Sequence, residues 1–277
     1  MIPFDLEYYT PENTEEAVEL FSELDAAGKE PLFYGGGTEI ITLCRQQKIA
    51  PGALIDLKAI AETTVLEHDG KKLIIGANLN LNILTEQQYF PLLADVARCV
   101  ADRTVRNRLT LGGNICGRLP YRETVIPFLL ADADMIIAGP GGRRTEQLRQ
   151  KFDKRLRLNP GEILVQLVVA GRELSWPHWR RRREKHGPVD YPLFHLAAVR
   201  KKEHIAVAVS GLCAFPFRSE ELEKLINNIS LKPESRSEKS LGHLPGPVRS
   251  DDLGSEDYRQ TLWQKDLAIL LKEMEEA

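Results

Sequence analysis

Cysteine is sparse in this chain, and the four that occur, Cys44, Cys99, Cys116 and Cys213, stand far apart with no C-x-x-C pair. Such spacing excludes a disulfide framework, a structural zinc site and an iron–sulfur cluster built within the chain, and leaves reduced thiols. Positive charge is not in excess either. A formal net charge of -3 gives no global field that would hold a polyanion, so nucleic acid is not expected as a partner. Long apolar runs are missing: Ile205 to Phe217, among the longest, falls short of the ~20 residues needed to span a bilayer. The opening Met1-Ile2-Pro3-Phe4-Asp5 has neither a basic n-region nor an apolar h-region. A cytoplasmic chain that does not engage a membrane is the expectation. No internal repeat is evident.

What is present suffices for more than one core. At 277 residues and 43% hydrophobic content, two domains are expected. Asn13 or Thr14 reads as a helix N-cap ahead of Ala17, Val18, Leu20, Phe21 and Leu24 at helical spacing, with Gly28 as the stop. Leu32-Phe33-Tyr34 reads as a strand that ends in three glycines, followed by a helix over Glu39 to Gln46. Further strands are predicted at Leu54–Leu57, Leu73–Ala77, Met135–Ala138 and Ile163–Val169, and helices at about Leu92–Ala101 and Thr124–Ala133. Gly139-Pro140-Gly141-Gly142 reads as a hairpin turn. Residues 171–189, with Trp176, Trp179 and the run Arg180–Arg183, show no sustained period and read as a loop between domains. That run fits either docking to an acidic partner surface or a solvated loop. Tyr191–Arg200 and Ile205–Phe215 read as strands, Glu220–Ile229 as a helix, Ser235–Ser250 as an exposed linker and Asp257–Met274 as a closing helix.

Two glycine turns carry the chemistry: Tyr34-Gly35-Gly36-Gly37-Thr38 and Thr110-Leu111-Gly112-Gly113-Asn114. Glycine permits positive φ and removes the Cβ, so backbone N–H groups can converge on an anion. Either turn alone is explained without a ligand. No lysine follows as a P-loop requires, and the strand-and-acid context of a dinucleotide-binding G-x-G-x-x-G is missing. Two opposed turns flanked by hydroxyl and amide side chains suit a pyrophosphate. Each N–H to a phosphate oxygen contributes roughly 1.5–3 kcal/mol, against about 12 kcal/mol for nanomolar binding, so the rest of a nucleotide must also be buried.

Leu32 to Ile40, together with Val105-Arg106-Asn107-Arg108-Leu109-Thr110-Leu111-Gly112-Gly113-Asn114-Ile115, resembles the paired FAD signature of the flavin subunit of molybdenum hydroxylases, a family that includes xanthine dehydrogenase and aerobic carbon monoxide dehydrogenase. Gly139–Thr145, Pro160-Gly161-Glu162-Ile163-Leu164, Asp251-Asp252 and Ser255–Arg259 extend the resemblance over nearly the whole chain. It implies an α+β fold: a two-part FAD-binding domain of the PCMH type over residues 1–169, with lobes of roughly 1–57 and 58–169, then a smaller sheet-plus-helices domain over 170–277. It implies FAD contacts from Phe33, Tyr34, Gly35, Gly36, Gly37, Thr38, Glu39 and Ile40, and from Thr110, Gly112, Gly113, Asn114 and Ile115. Val100 would lie near the isoalloxazine ring and Leu164 by the adenine or ring end. Glu123 stands where the family has an aspartate, so it is either a cofactor contact or a helix N-terminal acid. His195 stands where a lysine is often found, and is either a contact or a structural histidine. The resemblance implies no catalytic acid or base and no metal ligand in this chain. A large partner subunit would carry the molybdenum cofactor and a small one two 2Fe-2S clusters, with NAD+ a possible acceptor. Purine dehydrogenases look nearer than carbon monoxide dehydrogenases at Tyr34–Ile40 and Pro160–Leu164. A self-contained FAD oxidoreductase and a structural subunit without its cofactor are the alternatives.

Overall fold

The computed structural model describes residues 2–187 and 190–276 and assembles the chain around three main β-sheets. The first is parallel, with strands β1 (Glu7–Tyr9), β2 (Leu32–Tyr34) and β3 (Ala53–Asp56) in the order β1-β3-β2. Parallel neighbours need crossovers. Helices α1 (Thr14–Ala26) and α2 (Thr38–Arg45) supply them. The Asn13 side chain caps α1 by accepting a 2.8 Å bond from the Glu16 N–H, and Ala17, Val18 and Leu24 are buried. The chain leaves the helix at Gly28, whose φ of 74° favours glycine.

The second sheet is antiparallel. Strands β4 (Leu66–His68), β5 (Lys72–Gly76), β6 (Asp134–Gly139), β7 (Gly142–Gln147) and β10 (Ile163–Ala170) lie in the order β4-β5-β10-β6-β7. Between β5 and β6 run five short helices: α3 (Leu81–Glu86), α4 (Pro91–Arg98), α5 (Arg103–Arg106), α6 (Leu111–Cys116) and α7 (Val125–Leu130). After β7 come α8 (Leu148–Lys151) and the small hairpin β8 (Phe152–Asp153) and β9 (Arg155–Leu156). Leu73, Ile75, Met135, Ile137, Leu167 and Val169 from the sheet pack with Leu92, Val96 and Phe128 from the helices in one core.

The third sheet, β11 (His178–Glu184), β12 (Pro192–Lys201), β13 (His204–Ser210) and β14 (Phe217–Arg218), is antiparallel in that order. Both of its faces are covered. Ala197, Val199, Ala206 and Ala208 join the core of the second sheet, while Leu196, Ala198, Val207 and Val209 meet Trp263, Leu267, Leu270 and Leu271 of α11 (Glu256–Glu276). Two-sided burial explains why these strands read as unbroken apolar runs. Each buried leucine of α11 contributes about 1.5–3 kcal/mol. Helices α9 (Glu220–Ile226) and α10 (Pro233–Lys239) complete this part. No described helix is long and apolar enough to cross a membrane.

Two expectations are overturned. Arg180–Arg183 do not lie in a loop: they form the edge strand β11, in register with Ala197 to Phe194 of β12. Of 235–250, expected to be an exposed linker, the first part is instead α10, with Arg236 and Ser237 buried, followed by a short 3-10 turn at Ser240–His243, while 244–250 is the irregular segment expected, mostly exposed or half-buried. The Arg236 guanidinium donates to the Ile226 carbonyl at 2.5 Å and pairs with Glu275 at 2.5 Å. In both places buried arginines find partners elsewhere in the fold: Arg182 with Glu123 and Arg236 with Glu275. Smaller differences occur at helix ends: α4 stops at Arg98 and α7 at Leu130, before Ala101 and Asp132, which both have positive φ.

Candidate functional site

The two glycine turns meet. The first follows β2 at the C-terminal edge of the parallel sheet and leads into α2. The second is drawn down by antiparallel bonds on either side of Asn80 and Thr110: Leu81 N–H to the Leu109 carbonyl and Leu111 N–H to the Leu79 carbonyl, both 2.9 Å. Gly36 is the contact point. A Cβ there would fall inside the Arg108 carbonyl, and one on Gly35 would press on Asn78 Oδ1 and Thr110 Oγ1, each at 2.9 Å. Gly37, at φ 73°, turns the chain into α2 against the Tyr34 ring.

Between the turns lies a groove of about 260 Å³, lined among others by Phe33, Gly35, Gly36, Gly37, Thr38, Glu39, Ile40, Thr110 and Gly113. Its volume lies just below that of most ligand pockets, ~300–1,000 Å³, and matches a diphosphate with its neighbouring groups better than a whole dinucleotide. Helix α2 has no side-chain cap, its first N–H groups have no intrahelical acceptor or other bond among the described residues, and the residues that carry them, Thr38, Glu39 and Ile40, line the groove. Those groups and the helix dipole favour an anion. Lys58 braces the turn: its ammonium donates to the Gly35 carbonyl at 2.9 Å and to Asp56 at 2.7 Å, and lies 4.3 Å from the Tyr34 ring centre. Glu39 ties the two sides by accepting from the Arg118 N–H at 3.1 Å. A larger hollow of about 480 Å³ between α1 and the β6–β7 turn presents Glu15, Glu19 and Glu23 against Arg143, and so disfavours an anion.

The remaining residues singled out in the sequence do not line this groove. Tyr34 backs Gly37 from behind. Gly112 packs on Ala77. Asn114 is turned inward, its Oδ1 accepting from Thr124 Oγ1 at 2.6 Å. Ile115, Val100 and Leu164 belong to the hydrophobic core. Glu123 and His195 are buried against each other, His195 Nδ1 lying 2.6 Å from Glu123 Oε2, and Arg182 Nε donates to the same oxygen at 3.0 Å. Burial opposes the Glu123 charge, yet His195 and Arg182 outweigh it and hold the carboxyl below its ordinary range. The cluster joins α7's leading end to the third sheet. Arg183 likewise pairs with Asp266 of α11 at 2.5 Å. These bonds account for two of the four arginines within the fold, and the run is neither a solvated loop nor wholly free for docking.

Groove residues not expected as cofactor contacts are Leu43, Ile49, Gly117 and Arg118, together with Leu32 and Leu109, which stand within the signature segments, and Cys116, expected as a plain reduced thiol. Arg118 and Gly117 follow α6 directly, and the end of that helix is the signal that could have drawn attention to them.

Residues 4–169 match the family described as the FAD binding domain in molybdopterin dehydrogenase. The chain is 29% identical over 231 residues to the carbon monoxide dehydrogenase medium chain of Hydrogenophaga pseudoflava, covering 79% of each. It is 30% identical over 115 residues to a putative xanthine dehydrogenase FAD-binding subunit of Escherichia coli, covering 39% of each. Among solved structures, a chain of carbon monoxide dehydrogenase from Hydrogenophaga pseudoflava superposes with a TM-score of 0.86 at 24% identity, covering 97% of this chain and 96% of that one. This last likeness establishes the fold.

Proposed function

This chain belongs to the FAD-binding family of molybdopterin dehydrogenases, as a flavin-bearing medium subunit, and from that premise we propose that it relays electrons from the 2Fe-2S clusters of a small partner subunit to NAD+ or another acceptor. The substrate is oxidised at the molybdenum cofactor of a large partner subunit. The observation that carries the reading is the groove itself. It has an uncapped helix start, three consecutive glycines and no room for a Cβ at Gly36, a cradle shaped for the diphosphate of FAD.

When bound, FAD supplies the hydride and electron chemistry, and the protein supplies placement and field. The first N–H groups of α2 would bind the diphosphate, helped by the hydroxyl of Thr38, which lines the same groove. Phe33, Ile40 and Leu43 give it apolar walls that exclude water. Lys58, through Gly35 and Asp56, keeps the first turn in its binding shape. The buried Glu123–His195–Arg182 cluster orients the second part of the fold against the first. His195 and Glu123 act on the cofactor through this positioning, and Val100 and Leu164 through the core that supports α6.

For the partner enzyme we favour the xanthine dehydrogenase type, on the likeness at Tyr34–Ile40 and Pro160–Leu164 and on the 30% identity to the xanthine-type subunit. Purification of the chain with its partners tests both levels. A yellow complex that reduces NAD+ on adding xanthine is expected. A colourless protein that takes up no FAD sinks the flavin reading, and a yellow complex that oxidises carbon monoxide but no purine sinks only the substrate class.

A further inference from the structure

Arg122 is a buried cation, 5% exposed, that forms no direct ion pair among the described residues. Its neighbour Glu123 is engaged by Arg182 and His195. Of its five N–H donors, Nη2 reaches the Lys154 carbonyl at 2.5 Å, while Nε is buried with no acceptor. The guanidinium carbon lies 5.3 Å from the Phe152 ring centre. Methionine would fill that space as well, without the cost of burying an uncompensated charge. The backbone is also held at φ 34°, a conformation that non-glycine residues avoid and that tends to persist where function requires it. Burial presses its pKa down, and the charge that acts against that is the carboxylate of Glu39, on the groove wall.

We infer that Arg122 is a further cofactor-binding residue, whose guanidinium charges the Cys116–Arg118 end of the groove from behind and finds its counter-ion in the diphosphate of FAD. The inference rests on reading the groove as the seat of that diphosphate. It gives Arg122 opposite effects on two states. Without ligand the buried charge is a burden on the fold, and with ligand it is an attraction. A residue that merely held the β8–β9 hairpin through Lys154 would help both states alike.

The test uses the full chain, freed of flavin, as wild type, Arg122→Met and Arg122→Lys. Methionine keeps length and the same backbone strain while removing the charge. Titration with FAD and, separately, with ADP at low and high salt gives Kd, and thermal unfolding without ligand gives Tm. Expected for Arg122→Met are an unliganded Tm equal to or above wild type, a Kd raised roughly 10- to 100-fold for both ligands, and a weaker salt dependence. Arg122→Lys should recover much of the affinity. An unchanged Kd for FAD overturns the inference whatever Tm does, as does a loss seen with FAD but not with ADP, which would put Arg122 at the ring end. A wild type that binds no FAD removes the groove reading itself, whereas wild-type binding matched by Arg122→Met removes only this proposal.

Discussion

The two glycine turns look alike in sequence and differ in what their N–H groups do. Around the second turn the donors are used within the protein: Leu111 N–H goes to Leu79, Gly112 N–H to Ala77, Gly113 N–H to Thr110 Oγ1 and Asn114 N–H to the Thr110 carbonyl. The first turn opens α2 with a glycine, which has no side chain to cap the helix. One turn is a seat and the other a hand. Repeated glycine thus marks close approach in both, but only the turn whose donors lack internal acceptors is equipped to bind an anion.

The contrast breaks most visibly at Gly36. Gly36→Ala drives a methyl into the Arg108 carbonyl, costs at least the about 1–3 kcal/mol of overpacking and should leave a protein that retains no FAD, as absorbance of the purified chain will show. Normal flavin content in that variant would mean that the turns need not touch. Next in size is Gly37→Ala, which places a side chain at φ 73° against the Tyr34 ring. The backbone alone costs about 1–2 kcal/mol, and Kd for FAD should rise about tenfold or more by titration. Thr110→Val removes the cap of α6 and about 1 kcal/mol of stability. If the second turn is a seat, Tm should fall more clearly than affinity. A loss of affinity exceeding that of Gly37→Ala would reverse the roles assigned to the turns.

The smallest effect is with pH. Backbone donors do not titrate, so FAD affinity should be flat between about pH 5 and 8, where exposed carboxylates stay ionised. Acid sensitivity lies in side chains elsewhere. The Arg144 and Asn159 hydrogen bonds hold Glu162 down to about 2. Because that folded value lies below the unfolded one, its stabilisation is complete above the ordinary carboxylate range and is lost as pH falls through about 2. Wild type and Glu162→Gln should differ in Tm at neutral pH and converge in strong acid.

The sequence made much of this legible where the signal is local. The Asn13 cap, the strand into Gly35–Gly37, the β6–β7 turn and the closing helix all depend on neighbours a few residues away, and they stand where spacing put them. The arginine strand was not legible, because its charges are satisfied by Glu123 and Asp266, 59 and 83 residues distant. Run through as a string, Arg180–Arg183 has no period to betray a strand. The same limit applies to the groove. Nothing near Asn114 announces that its amide turns inward to Thr124, and nothing near Glu123 announces that its carboxylate meets a histidine from the third sheet.

The Gly36–Arg108 contact has a consequence for biogenesis. One face of the groove is made when the first turn leaves the ribosome, and the other only after the segment around Arg108 has emerged and docked. Half a chain therefore offers half a groove. A cofactor held between both turns can bind only after that docking, so its colour would report that the Gly36–Arg108 contact has formed.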